Sequence, residues 1–262
     1  MKSLKAYYIS GLILFILIPN IWAKNSENVL KYNFPVWENA TELDGTGLYL
    51  ELIELVYKMS GYSTVRDPEG DIPWNRGVKN VIDNISDTIG GEYENLIRER
   101  GLIHPKAPII ENSIFAVYKK STFPNKAKLI NFNGKTIVEM LGFKLYKAIG
   151  LKNINLEEVS DEHAAVKMVL LDRGDVALLE EYSFFKAQKA ISQMKSDAVV
   201  SEIVARRRLY LMFANTPRGR MLADAWDNGL RALVLQNRLV EYENIFRKYG
   251  FDSNIPDFTD FF

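Results

Sequence analysis

Residues 135–179 read KTIVEMLGFKLYKAIGLKNINLEEVSDEHAAVKMVLLDRGDVALL, and their pattern decides the fold. Three short apolar runs, Lys135 to Met140, Asn155 to Val159 and Val176 to Leu179, have strand character. Lys144 to Ile149 and Glu162 to Asp172 lie between them with helical spacing. A strand–helix alternation of this kind is the mark of an α/β layer whose sheet is covered by its own crossover helices. The Asn133-Gly134 turn opens the block, so it reads as a self-contained unit.

The flanks explain how the block is reached and left. Ile109 to Tyr118 precedes it as a long extended run, and Arg208 to Ala214 follows it as another. Upstream, Val29 to Phe34 is a strand candidate ending at Pro35, and Leu48, Leu52, Leu55, Val56 and Met59 form a helical stripe stopped by Gly61. Val78, Val81, Ile82 and Ile85 predict a second helix, followed by the strand-like Thr88 to Gly91. Downstream, two strongly periodic helices carry Met221, Leu222, Ala225, Trp226, Leu230 and Leu233, then Leu239, Tyr242, Ile245, Phe246 and Tyr249. An inserted block with two extended connections predicts two lobes. Lobe 1 is discontinuous, 24–115 plus 210–262, and lobe 2 is 116–209. A cleft between lobes is the default place for a ligand.

Composition narrows the function. The 262 residues carry 33 Lys and Arg against 33 Asp and Glu, which argues against a nucleic-acid binder needing clustered cations. There is no cysteine, so disulfides, thiolate metal sites, a cysteine nucleophile and lipidation at an N-terminal cysteine are excluded. Two histidines, His104 and His163, make a multi-histidine zinc site a poor expectation. No cofactor and no metal are expected. The first 23 residues show a basic head, an apolar run from Tyr7 to Ile18 and a small residue at Ala23, the pattern of a cleavable secretory signal. That run is shorter than the roughly 20 residues a membrane span needs. The expected location is therefore the periplasm, as a free, non-lipidated protein.

Several motifs then add up. Asn33-Phe34-Pro35-Val36-Trp37, followed by Leu43-Asp44-Gly45-Thr46-Gly47-Leu48, leads into the first helix. Ile72-Pro73-Trp74-Asn75-Arg76 opens the second, and Arg98 stands eleven residues after Asp87. Leu171, Gly174 and Asp175 lead into the last strand of the middle block, and Asp227-Asn228-Gly229-Leu230 through Tyr249-Gly250 closes the chain. In order and spacing these resemble the bacterial extracellular solute-binding proteins of family 3, the polar-amino-acid type that serves ABC importers. The resemblance runs over nearly the whole chain after the signal. It implies a type II periplasmic-binding-protein fold, with each lobe a mixed sheet flanked by helices and two crossover strands joining them. It also implies a monomer that captures a small polar solute, an amino acid or related amine or carboxylate, with an inner-membrane ABC permease as partner.

Carried over residue by residue, the resemblance places the ligand carboxylate on Arg98, whose planar guanidinium suits a two-bonded grip. Arg100 is the alternative, and either could instead be a surface helix charge paired with Glu94 or Glu99. The family's Ser/Thr-rich lead-in is replaced here by Tyr93-Glu94-Asn95-Leu96-Ile97, which removes hydroxyls suited to a carboxylate. Glu180 occupies the family's ammonium-binding place, with Glu181 beside it. Gly142 marks a helix start that would favour an anion, and Phe143 follows where Ser or Thr is usual. Trp37, Trp74 and Tyr93 are candidate aromatic walls. Arg206-Arg207-Arg208 reads as solvated crossover surface, and Glu157, Glu158, Asp161 and Glu162 as a helix start. The aromatic tail Phe258 to Phe262 is expected to pack on lobe 1. Two alternatives stand beside transport: a sensing module for a membrane receptor, and a cyclohexadienyl-dehydratase-like enzyme using Glu92, Glu180 or Glu181 as acid or base.

Overall fold

Strand pairing in the computed structural model follows the two extended runs. It describes residues 28–66, 70–123, 128–193, 199–258 and 261; the expected signal segment lies outside them. The first half of the chain supplies β1 (Val29–Tyr32), α1 (Leu48–Met59), β2 (Ser63–Arg66), α2 (Trp74–Ile82), β3 (Thr88–Tyr93) and α3 (Glu94–Glu99). The long strand β4 (Ile110–Lys119) leads to β5 (Thr136–Met140), α4 (Leu145–Ala148), β6 (Asn155–Val159), α5 (Glu162–Leu170), β7 (Val176–Glu180) and α6 (Glu181–Gln193). A second long strand, β8 (Val199–Phe213), returns to α7 (Pro217–Leu235) and α8 (Leu239–Tyr249). The eight strands form one mixed sheet in the order β2-β1-β3-β8-β4-β7-β5-β6.

β4 and β8 are its spine. They pair antiparallel from Ile110–Leu209 to Lys119–Val199, with a bulge where Ile114 and Phe115 face Ala205 and Ile203. On one side, the C-terminal end of β8 carries β3, β1 and β2; on the other, β4 carries β7, β5 and β6. The first group is covered by α1, α7 and α8, whose Leu52, Val56, Trp226, Leu230, Tyr242 and Phe246 are fully buried. The second is packed against α5 and α6 through Val166, Val169, Phe184 and Ala187, beneath Val117, Val138, Ala177 and Leu179.

Local chemistry explains the main boundaries. α5 starts on Asp161, whose carboxylate accepts from the Ala164 amide at 2.8 Å, so Asp161 and Glu162 begin a helix as expected, whereas Glu157 and Glu158 of the same acidic cluster lie on β6. Thr216 caps α7 with Pro217 in the first turn. The loop leading into β4 is fixed to α7 and α8. Asp227 accepts from the Lys106 and Ala107 amides at 3.0 and 2.9 Å, Trp226 donates to the Ala107 carbonyl, and Tyr242 donates to that of Ile109.

Some expectations need correcting. β8 starts nine residues before the extended run read from Arg208, because its first ten residues form a half-exposed strand with little alternation. The reading placed no element at β2, α3 or α6. The predicted second helix ends at Ile82, leaving Ile85 exposed beyond it. The basic run is not simply solvated: Arg207 donates to the Ala148 carbonyl at 3.2 Å, and the Arg208 guanidinium lies 4.8 Å from the Phe261 ring centre. Of the tail, Phe258 is buried edge-on against Tyr242 of α8.

Candidate functional site

β3 and β7 run in opposite directions within the one sheet, so their C-terminal ends converge over β4. Tyr93, the last residue of β3, is level with Leu209 and so with Ile110; Glu180, the last of β7, is level with Ile114. Asn112 lies between them on β4. This is a switch point at strand carboxyl ends, where α/β sheets present ligand sites. The Tyr93 hydroxyl donates to Glu180 Oε1 at 2.6 Å, and Asn112 Nδ2 reaches the same hydroxyl at 3.5 Å.

Tyr93 is buried and Glu180 half-buried. Burial pushes the Glu180 carboxyl up to about 7, the nearby Glu92 carboxylate adds to the rise, and the Tyr93 bond only partly offsets it. Glu92 is itself buried. Its Oε1 accepts from the Tyr93 amide at 3.0 Å and its Oε2 from Arg100 at 3.4 Å, yet burial still raises its carboxyl. Two acids therefore share a poorly hydrated space with one close guanidinium.

An aromatic group stands beside them. The Trp37 and Trp74 ring centres are 5.5 Å apart, and Trp37 also meets Tyr49 at 6.2 Å. Gly91 sits at φ +90 in the β3 bulge, and a side chain there would meet the Tyr49 hydroxyl at 3.3 Å and Trp37 at 3.6 Å. The bulge thus lets β3 approach the rings. Burial, and after it the Glu180 charge, raise the Tyr49 hydroxyl, a second sign that acid and ring are close.

The other candidates lie differently. Arg98 forms an ion pair with Glu94 one turn earlier on α3, and its side chain is 70% exposed. Arg100 turns inward to Glu92, with its Nε buried and no partner among the described residues. The Gly142 amide donates to Glu158 Oε1 at 3.0 Å, and Phe143 is half-buried against the main core. Glu181 accepts from Ser253 and Asn254 near the C-terminus, at 3.0 and 2.8 Å. The structure thus brings together Trp37, Trp74, Tyr93 and Glu180, and adds Tyr49, Glu92 and Asn112. Asn112 had a signal in the sequence, as a polar residue inside an apolar extended run; Tyr49 was hidden within the helical stripe. Three surface hollows, around Ser60 and Asp224, Asp87 and Arg218, and Ile130 and Lys152, share no residue with this group.

No family model matches the chain, and no curated protein does. Solved structures do. One is a histidine kinase sensor domain with similarity to periplasmic binding proteins, at TM-score 0.61 and 12% identity, covering 85% of this chain and 95% of that one. Another is an ancestral amino-acid-binding protein, a precursor of cyclohexadienyl dehydratase, at 0.59 and 14% over 85% and 95%. A third is the substrate-binding protein of an ABC uptake transporter from Streptococcus pneumoniae with bound histidine, at 0.58 and 16% over 86% and 93%. Identities this low speak for the fold. The chain has the mixed α/β fold of the type II periplasmic binding proteins, as the sequence resemblance implied.

Proposed function

We propose that this protein is an exported solute-binding protein. It captures a small polar solute between lobe 1 (24–115 plus 210–262) and lobe 2 (116–209). The observation that carries the reading is the meeting of Tyr93 and Glu180 from the two halves of the sheet, near the Trp37–Trp74 pair. Polar groups that converge next to an aromatic wall can orient a small ligand and shield it. The bulge at Ile114 and Phe115 supports a hinge there, close to the first lobe boundary; on β8 its counterpart lies at Ile203 to Ala205, before residue 210. Delivery to an inner-membrane ABC permease fits the amino-acid-binding proteins among the neighbours. A sensing role is the second reading, favoured by the kinase sensor domain at TM-score 0.61.

The test is a thermal-shift screen of the purified protein against amino acids, amines, small carboxylates and short peptides. A solute bound by the native state raises the melting temperature. A shift that Tyr93→Phe and Glu180→Gln both weaken supports the site; no shift with any solute sinks the proposal. Turnover of a cyclohexadienyl acid by the wild type, lost in Glu180→Gln, would instead establish an enzyme.

A further inference from the structure

A ligand carboxylate needs a guanidinium, an ammonium or unoccupied amides, and several of those near Tyr93 and Glu180 already have partners in the chain; Arg207, level with Asn112, donates to the carbonyls of Ala148 and Arg206. Arg98 is held by Glu94 at the surface and Arg100 by Glu92. The Lys147 ammonium is likewise paired, with Glu99 at 2.6 Å. On the far side of the sheet, the Gly142 amide is taken by Glu158 and the Tyr146 amide by Glu139 Oε2 at 3.1 Å. Glu139 is fully buried, and its Oε1 has no partner among the described residues. The place where an anion would sit is thus already supplied with a carboxylate of the protein.

The opposite demand is unmet. Glu180 spends one oxygen on Tyr93, and its other oxygen accepts no hydrogen bond among the described residues. Glu92, the nearest further charge, is of like sign. Tyr49 is close to Glu180, Trp37 packs on Tyr49 and Trp74 on Trp37, and aromatic faces attract cations. An ammonium or guanidinium group placed there would meet a carboxylate and a ring together, in a charge-assisted bond strengthened by low hydration.

We infer that the cleft is selective for an organic cation, held by Glu180 and the Trp37–Trp74–Tyr49 rings, and makes no use of an α-carboxylate. This rests on the solute-binding reading and names its ligand class. The raised carboxyls of Glu92 and Glu180 agree with it, since a bound cation relieves their mutual repulsion.

The experiment compares twins that differ only by the carboxylate, titrated calorimetrically into the full chain: L-arginine with agmatine, L-lysine with cadaverine, L-histidine with histamine. In at least one pair the amine should bind, and at least as tightly as its amino acid. Glu180→Gln should weaken the amine about tenfold or more, the scale of one lost charge-assisted bond. Glu92→Gln, which leaves Glu180 in place, should weaken it less and gives a second reading if the first variant folds poorly. An amino acid that binds while its amine twin does not overturns the inference and leaves the solute-binding reading standing, as does an amine affinity untouched by Glu180→Gln. Absence of binding in every pair, together with a blank thermal-shift screen, overturns both.

Discussion

Glu180 and Glu139 show how burial alone can give a side chain a function-like property. Both carboxyls are pushed up to about 7 from an ordinary 4.5, first by loss of water. Glu180 faces Tyr93, Tyr49 and Glu92, whereas Glu139 faces Glu158, Lys144 and the amides that open α4. Each binds its proton more tightly in the folded chain than in the unfolded one. Their stabilising contribution is therefore complete below about pH 4 and is lost as the pH rises through about 7. The melting temperature of the ligand-free protein should fall between pH 5 and pH 8; Glu139→Gln and Glu180→Gln should each flatten that slope, and unchanged slopes would refute the assignment. Asp227 makes a different case, since its two oxygens satisfy two amides of the loop before β4. Asp227→Ala should cost about 1–3 kcal/mol for each amide left dry, read from urea unfolding. At this scale the sequence was partly legible. An Arg four residues after a Glu on a helix is a local pair, and Arg98 with Glu94 is that pair. Tyr93 was read as a wall, because nothing local shows that its hydroxyl ends on a residue 87 positions away.

The elements hold together through a few close approaches. α7 crosses α1 at Gly229, where an added Cβ would lie 2.1 Å from the Val56 carbonyl oxygen and 2.9 Å from Ser60 Oγ. Gly229→Ala should therefore destabilise by about 1–3 kcal/mol through overpacking, with the helices forced apart; an unaltered denaturation midpoint would contradict that contact. The 3₁₀ turn Asp252–Asn254, after α8, acts as a strap. Asn254 is buried and donates at 2.8 Å both to the Glu111 carbonyl on β4 and to Glu181 at the start of α6. Asn254→Ala should lower stability by about 1–3 kcal/mol for the unpaired acceptors. The long amphipathic elements α1, α7 and α8, and the alternating block β5 to β7, were legible because their apolar spacing is regular. β2 was not, as a four-residue edge strand of polar character. α6 carries Phe184 and Ala187 at helical spacing, a usable signal directly after the β7 run.

Across the whole molecule, polar contacts join the two halves of the sheet. Besides Tyr93–Glu180, Tyr182 donates to Glu38 at 3.0 Å, Lys147 pairs with Glu99 at 2.6 Å, and Asn95 reaches the Lys147 carbonyl at 3.1 Å. If the lobes move about β4 and β8, these bonds favour closure, and a ligand adds to that balance. Tyr93→Phe should then enlarge the radius of gyration of the ligand-free protein in small-angle X-ray scattering; an unchanged radius would argue against a latch. By itself the sequence determined the α/β class, the strand–helix alternation of the middle block and the absence of cysteine chemistry, since periodicity and composition are properties of neighbours along the chain. Only the tertiary structure decided which charges meet across the sheet. Arg98 was taken by a local partner, whereas Glu180 met Tyr93 because β3 and β7, running oppositely, converge over β4. Charge pairing across a sheet depends on strand order and register, and neither is written in local spacing.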